Sequence, residues 1–287
     1  MEIFAQSVTS GVLTGVLYAM IGIGLTVVFG VMRIINLAHG EMVMLGMFGA
    51  FWGQALWHLD PFVSLLLWAP LMFVAGTLLY RLLLRKILPG GELNTLLYTA
   101  GLSLLVANLA LFLWSGDYRT ISLSYGASPL RVLGVSVSVP LALAFGLALA
   151  LTAGLWLFLA RTDLGRAIRA TSQNGEAALL MGIDVEKVAV ITFGMGTALA
   201  GAAGVLLAPS LYLYPTVGEL LIVKCFVVVV LGGLGSVPGA IAGGVLLGVV
   251  ESLGAVYVSS AYKDGIGFVL FLLVLLYRPA GLFGVGK

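Results

Sequence analysis

Arg161–Lys187 reads RTDLGRAIRATSQNGEAALLMGIDVEK, a polar island holding eight of the chain's 14 basic and 12 acidic residues. On either side the charge vanishes: Val132–Ala160 carries none, and neither does Val188–Gly218. A polar segment of this length cannot lie in hydrocarbon, because each unpaired polar group there costs several kcal/mol. The island is therefore an aqueous loop between two membrane spans.

The loop has order of its own. Asp163 is placed to cap a short amphipathic helix with Leu164, Ala167 and Ile168 on one side and Arg166 and Arg169 elsewhere. Asn174-Gly175 breaks that pattern, and a second short helix is expected over Glu176–Met181. Asn174 is a good N-cap for it, Glu176 suits the positive end of its dipole, and Gly182 suits the C′ position. Two short helices held in water beneath a membrane bundle make a knob that a soluble partner can push.

Working outward, the composition is that of a membrane protein. The chain is 61% hydrophobic and 9% charged, where ordinary globular chains carry about 25% charged residues. Apolar runs are expected to span at Val8–Met32, Met42–Leu59, Pro61–Leu84, Asn94–Trp114, Pro140–Ala160, Val188–Leu207, Ala240–Val258 and Gly265–Tyr277. Leu220–Leu231 is apolar but short, either a span or a re-entrant helix. The expected fold is all-α: one polytopic transmembrane bundle over residues 1–287, with about eight to nine segments, some of them broken. With the N-terminus outside, ten basic residues fall on cytoplasmic sites and only Arg119, Arg131 and Lys263 outside, as the positive-inside rule requires. That choice also puts the island in the cytoplasm.

Two polar interruptions stand out. Asn36-Leu37-Ala38-His39-Gly40-Glu41 separates the first two apolar runs. It reads either as a tight cytoplasmic turn, with Arg33 and Glu41 as an exposed pair, or as a helix break whose freed backbone lines a pathway. Gly232-Gly233-Leu234-Gly235-Ser236-Val237-Pro238-Gly239 is expected to be a second such break, since Val229-Val230-Leu231-Gly232 resembles Val27-Val28-Phe29-Gly30. Asn36, His39, Gly40, Glu41, Gly232, Gly235, Pro238 and Gly239 are thus candidate pathway or gating residues. Lys224 and Glu251 lie inside spans and could pair, and Asn108 could bond between helices.

Several chemistries are excluded. One cysteine, Cys225, and two histidines, His39 and His58, leave no disulfide and no metal-ligand cluster. No nucleophile–base set accompanies His39 and Glu41, so no catalytic residue is assigned. Gly281–Lys287 mimics a phosphate-binding GxxxxGK, but no Ser or Thr follows the Lys. Any energy the chain uses must therefore come from a partner or an ion gradient.

Glu176-Ala177-Ala178, with Gly182 four residues on, resembles the EAA loop of bacterial ABC-importer permeases, although no Leu-Pro pair follows downstream. LGRAIRA, NGEAALLMGI, NLAHGE and RPAGLFG resemble the branched-chain amino acid permease family in particular, in the same order along nearly the whole chain. The resemblance implies a non-catalytic permease subunit in the bacterial inner membrane. Its partners would be a second permease, two cytoplasmic ATPases and an extracytoplasmic binding protein. It would bind no cofactor itself, ATP being used by the partners. Arg166, Arg169, Glu176, Ala177, Ala178 and Gly182 would couple to the ATPase. The implied cargo is leucine, isoleucine and valine; amides or urea are the alternative, and a secondary transporter or channel is the competing class.

Overall fold

The computed structural model describes residues 2–127, 129–132, 134–278 and 280–283. The end of the GxxxxGK look-alike, 284–287, lies outside them. Its helices are α1 (Glu2–Met32), α2 (His39–Trp57), α3 (Pro61–Leu79), α4 (Arg85–Ile87), α5 (Glu92–Trp114) and α6 (Val139–Arg161). After these come α7 (Asp163–Gln173), α8 (Gly175–Leu180), α9 (Val185–Leu207), α10 (Val217–Gly232), α11 (Val237–Tyr257) and α12 (Lys263–Tyr277). A π-helical turn, Tyr80–Leu84, joins α3 to α4, so that Pro61–Gly90 forms one span. Among the described residues seven segments are long and apolar enough to cross a membrane, and α2 and α10 are two further apolar helices outside that set.

The long helices are apolar all round, so no single stripe decides their position. Close backbone approach does. A β-carbon on Gly15 of α1 would lie 2.6 Å from the Gly244 oxygen of α11, so the Gly11–Gly15 spacing permits the contact it suggests. The core is formed by α1, α2, α9, α10 and α11. Leu17, Met20, Phe48, Phe193, Leu206 and Leu207 are among its fully buried side chains. Around it stand α3, α5, α6 and α12, whose outer faces carry exposed Leu66, Leu104, Phe112, Trp156 and Leu272. A soluble chain could not leave so large an apolar surface in water. In a bilayer it is the lipid-facing wall.

The bundle has two ends. At one end Gln6 bonds Ser136, Gln54 bonds Ser122, and Asp60 accepts from Tyr125. The polar stretch between α5 and α6 folds in part into a hairpin, β1 (Pro129–Val132) paired antiparallel with β2 (Val135–Ser138). At the other end Arg85 pairs with Glu186, and the island sits beneath α6 and α9.

Candidate functional site

The island folds as two capped helices, with one correction to the sequence reading. Thr162, not Asp163, caps α7: its Oγ1 accepts from Gly165 N at 2.9 Å. Thr162 is in the extended conformation that an N-cap needs, whereas Asp163 is already helical and pairs with Arg166. Gly165 lies against the Phe158 and Leu159 carbonyls, where a side chain would collide, so α7 folds back hard on the end of α6. Ile168 and Thr171 are buried in that joint. Arg169 donates to the Leu159 carbonyl and acts as a strut; Arg166 stays exposed.

Asn174 caps α8 as expected, its Oδ1 accepting from Ala177 N at 3.0 Å. Gly182 turns the chain with φ +84°. Ile183 N then donates to Ala178 O at 3.0 Å, the reverse bond of a Schellman ending. Ala178 is buried while Glu176, Ala177 and Gly182 are exposed or half-buried. What the sequence reading passed over is the apolar tip: Leu179, Leu180 and Met181 are 62%, 88% and 83% exposed. Three apolar residues ending a polar capped helix were the available signal.

At the first interruption, the tight-turn reading with an exposed Arg33–Glu41 pair fails. Arg33 is exposed with φ +52°, and Glu41 is fully buried. The chain leaves α1 at Met32 and climbs back before α2 starts. His39 Nε2 lies 3.1 Å from the Ile21 carbonyl, which only accepts, so the ring carries its hydrogen on Nε2. Ile21 lies eleven residues before the end of α1, so α2 begins roughly 16 Å inside the bundle at 1.5 Å per residue. Asn36 Oδ1 accepts from Ala38 N at 3.1 Å and rounds the corner. Thr99 and Ser103 of α5 hold the break from the side: Leu37 N donates to Thr99, and Ser103 donates to Glu41 Oε1 at 3.1 Å. The other Glu41 oxygen is buried without a partner.

The element facing this break is the start of α10. Gly40 lies against the Gly218 carbonyl, and a β-carbon on Gly218 would meet Glu41 Oε2 at 2.5 Å. Two helix N-termini therefore cross at Gly40 and Gly218, each followed by a glutamate, Glu41 and Glu219. The repeated Gly-Glu pair was the signal that could have found this. Gly232–Gly239 is placed elsewhere, as a turn at the island end in which Gly232 and Gly239 touch backbone to backbone. Gly235 has φ +85°, and Pro238 opens α11. Leu234 of this turn shares a cavity with Arg33–Ile35, the segment leading into the first break.

Two cavities open in the bundle. A cavity of about 680 Å³ at the hairpin end is lined by Thr14, Tyr18, Ile121, Leu207 and Pro209–Leu211, the last on the segment leading into α10. Another, of about 560 Å³, is lined by Phe29, Arg33–Ile35, Leu96, Phe226 and Val230, next to the segment leading into α2. Nearby, Lys224 does pair with Glu251 at 2.5 Å and also with Asp264 of α12 at 2.7 Å. Among the described residues Asn108 bonds within its own helix, donating to the Leu104 carbonyl.

Helices interrupted inside a bundle, with buried polar groups at the interruption, are the architecture of a membrane transport component. The match to known sequences agrees: a family described as the branched-chain amino acid transport system permease component covers residues 7–275. The chain belongs to that family and is a multi-pass, non-catalytic permease subunit. It is 36% identical to the high-affinity branched-chain amino acid transport system permease protein BraD of Pseudomonas aeruginosa, over 98% of this chain and 96% of the relative. It is 33% identical to the corresponding LivH protein of Escherichia coli K12 over the same shares. The probable branched-chain amino acid transport permease LivH of Methanocaldococcus jannaschii is 29% identical over 94% and 89% of the two chains. No solved structure matches the chain.

Proposed function

We propose that this chain is the membrane subunit of an ABC importer that carries leucine, isoleucine and valine across a bacterial inner membrane. The N-terminus lies outside and the island in the cytoplasm. A second permease completes the pathway, two ATPases drive it, and an extracytoplasmic binding protein delivers the cargo. The chain binds no cofactor of its own. The observation that carries the docking assignment is the exposed Leu179-Leu180-Met181 tip on a helix capped at both ends. A rigid polar knob that exposes three large apolar side chains in water has a surface to bury against a protein.

The knob is joined stiffly to α6 through Gly165 and Arg169, so ATPase closure would push α6 rather than bend the loop. The Gly40–Gly218 crossing, where two helix N-termini meet inside the bundle, serves as the closed point of the pathway. Glu41, with one unpartnered oxygen, is the polar group freed when the crossing opens.

Tagged chain, co-expressed with its genomic neighbours, should co-purify an ATPase. Glu176→Lys and Leu180→Asp should each lose it while membrane insertion is kept. Normal co-purification and normal leucine uptake in both variants would remove the coupling role. Uptake of urea or an amide in place of leucine would keep the importer and replace its cargo.

A further inference from the structure

A groove of about 720 Å³ runs between α3, α6 and α9 on the lipid-facing side of the bundle. Its lining combines small residues, among them Ala69, Gly154 and Ala198, with the larger Phe73, Phe158 and Met195. A β-carbon on Gly154 would meet nothing within 4 Å. The missing volume on α6 is therefore not taken up by the neighbouring helices. Along α9 the groove extends from Ile191 to Ala202. Eleven residues at 1.5 Å each make about 16 Å, close to the depth of one leaflet of a roughly 30 Å hydrocarbon core. One end stops at Leu164 on α7, so the groove opens at the island boundary rather than at mid-bilayer.

Cations surround that mouth. Arg161 lies three residues beyond Phe158 on α6, and Lys187 four residues before Ile191 on α9, each on the same helix face as its groove residue. Arg81 lies about two turns past Phe73. All three are exposed, and among the described residues none takes part in an ion pair. The acids nearest in sequence are already engaged: Asp163 with Arg166, and Glu186 with Arg85.

We propose that the groove is a binding site for a single anionic phospholipid, one acyl chain lying between α3, α6 and α9 and its phosphate held by Arg161, Lys187 and Arg81. The charge fits an anionic headgroup better than a zwitterionic one, because the three exposed cations take part in no ion pair among the described residues. The chain would fill the gap beside Leu155 and Phe158, so the lipid would set the spacing of α6, which carries α7 and the knob.

The test is native mass spectrometry of the full chain, released from micelles doped with equimolar phosphatidylglycerol and phosphatidylcholine of the same acyl chains. One phosphatidylglycerol should be retained in preference. Gly154→Phe, which fills open space, should lose it. Arg161→Gln with Lys187→Gln should weaken retention on the order of fivefold per cation removed, and leave phosphatidylcholine unchanged. Equal retention of the two lipids by the unaltered chain would overturn the proposal, leaving only a bulk annulus. So would a phosphatidylglycerol adduct that survives both variants. A change in permease stoichiometry with Gly154→Phe would overturn it too, making the occupant a second copy of the chain. The double charge variant alters only exposed side chains, so its reading does not depend on how the core tolerates the Gly154→Phe change.

Discussion

A β-carbon on Gly40 would collide with the Gly218 carbonyl and sit 2.8 Å from Ile222 Cβ. Backbone that close has no slack, and overpacking a tight core costs typically about 1–3 kcal/mol. Gly40→Ala should therefore lower the thermal midpoint in detergent clearly. Gly154→Ala, into open space, should match or exceed the unaltered chain, because Ala is the better helix former by up to about 1 kcal/mol. If both variants melt with the unaltered chain, the crossing is looser than described. The break itself was legible in the sequence because Asn36, His39 and Glu41 interrupt an apolar run, and such residues need an explanation in a membrane. Its partner was not. Gly218-Glu219 stands just before the short apolar run Leu220–Leu231, and only the fold brings it to Gly40. Similarity of apolar flanks pointed instead to Gly232–Gly239, a reminder that valine-rich runs recur in any membrane helix.

The attachment of α12 rests on the Lys224 cluster. The first turn of α12 supplies Asp264, α11 supplies Glu251, and the outer face of α12 is otherwise given to lipid. Lys224→Met would leave Glu251 buried without a counter-ion, and breaking a buried pair costs about 3–5 kcal/mol. The expected outcome is a large loss of stability, with limited proteolysis cutting first near Ser259–Tyr262. Lys224→Met combined with Glu251→Gln should recover much of it. No recovery in the double variant would mean that the Lys224–Asp264 pair, and not Lys224–Glu251, holds the helix. Lys224 and Glu251 could be matched from sequence as two charges inside spans, whereas Asp264 reads as a residue in the loop before the last span. At the hairpin end, Tyr125 clips its loop to Asp60 at 2.5 Å. Burial first, then the Asp60 hydrogen bond and charge, raise the Tyr125 pKa above its ordinary value of 10.0. A raised folded pKa gives stability that is complete below about pH 10 and is lost as pH rises through the folded value. Alkaline titration of the thermal midpoint should therefore fall more steeply above about pH 10 for the unaltered chain than for Tyr125→Phe. Parallel curves would show that the clip adds nothing. The alternating Val135–Ser138 stretch carried a strand signal, but its polar surroundings made it read as loop.

The two ends of the bundle alternate along the chain without a slip, so one fixed point orients the whole molecule. The island, 81–86 and Arg278 share one end, and Arg119, Arg131 and Lys263 share the other. The charge asymmetry read from sequence thus acts on a consistent topology, although α2 and α10 are too short or too polar to count as ordinary spans. Cys225 is the single cysteine and is fully buried, which makes the chain a silent background for labelling. Leu180→Cys and Tyr212→Cys place thiols on exposed sites at opposite ends. In intact cells a membrane-impermeant maleimide should label Tyr212→Cys and spare Leu180→Cys until the membrane is permeabilised. The reverse pattern would invert the molecule, put the knob outside, and leave no ATP supply at the surface built to receive it. Once the membrane is open, Leu180→Cys should label freely in the chain expressed alone and slowly with its ATPase present, since a docked tip is covered. Equal rates in both preparations would place the ATPase contact elsewhere on the island, while leaving the orientation established by the first labelling intact.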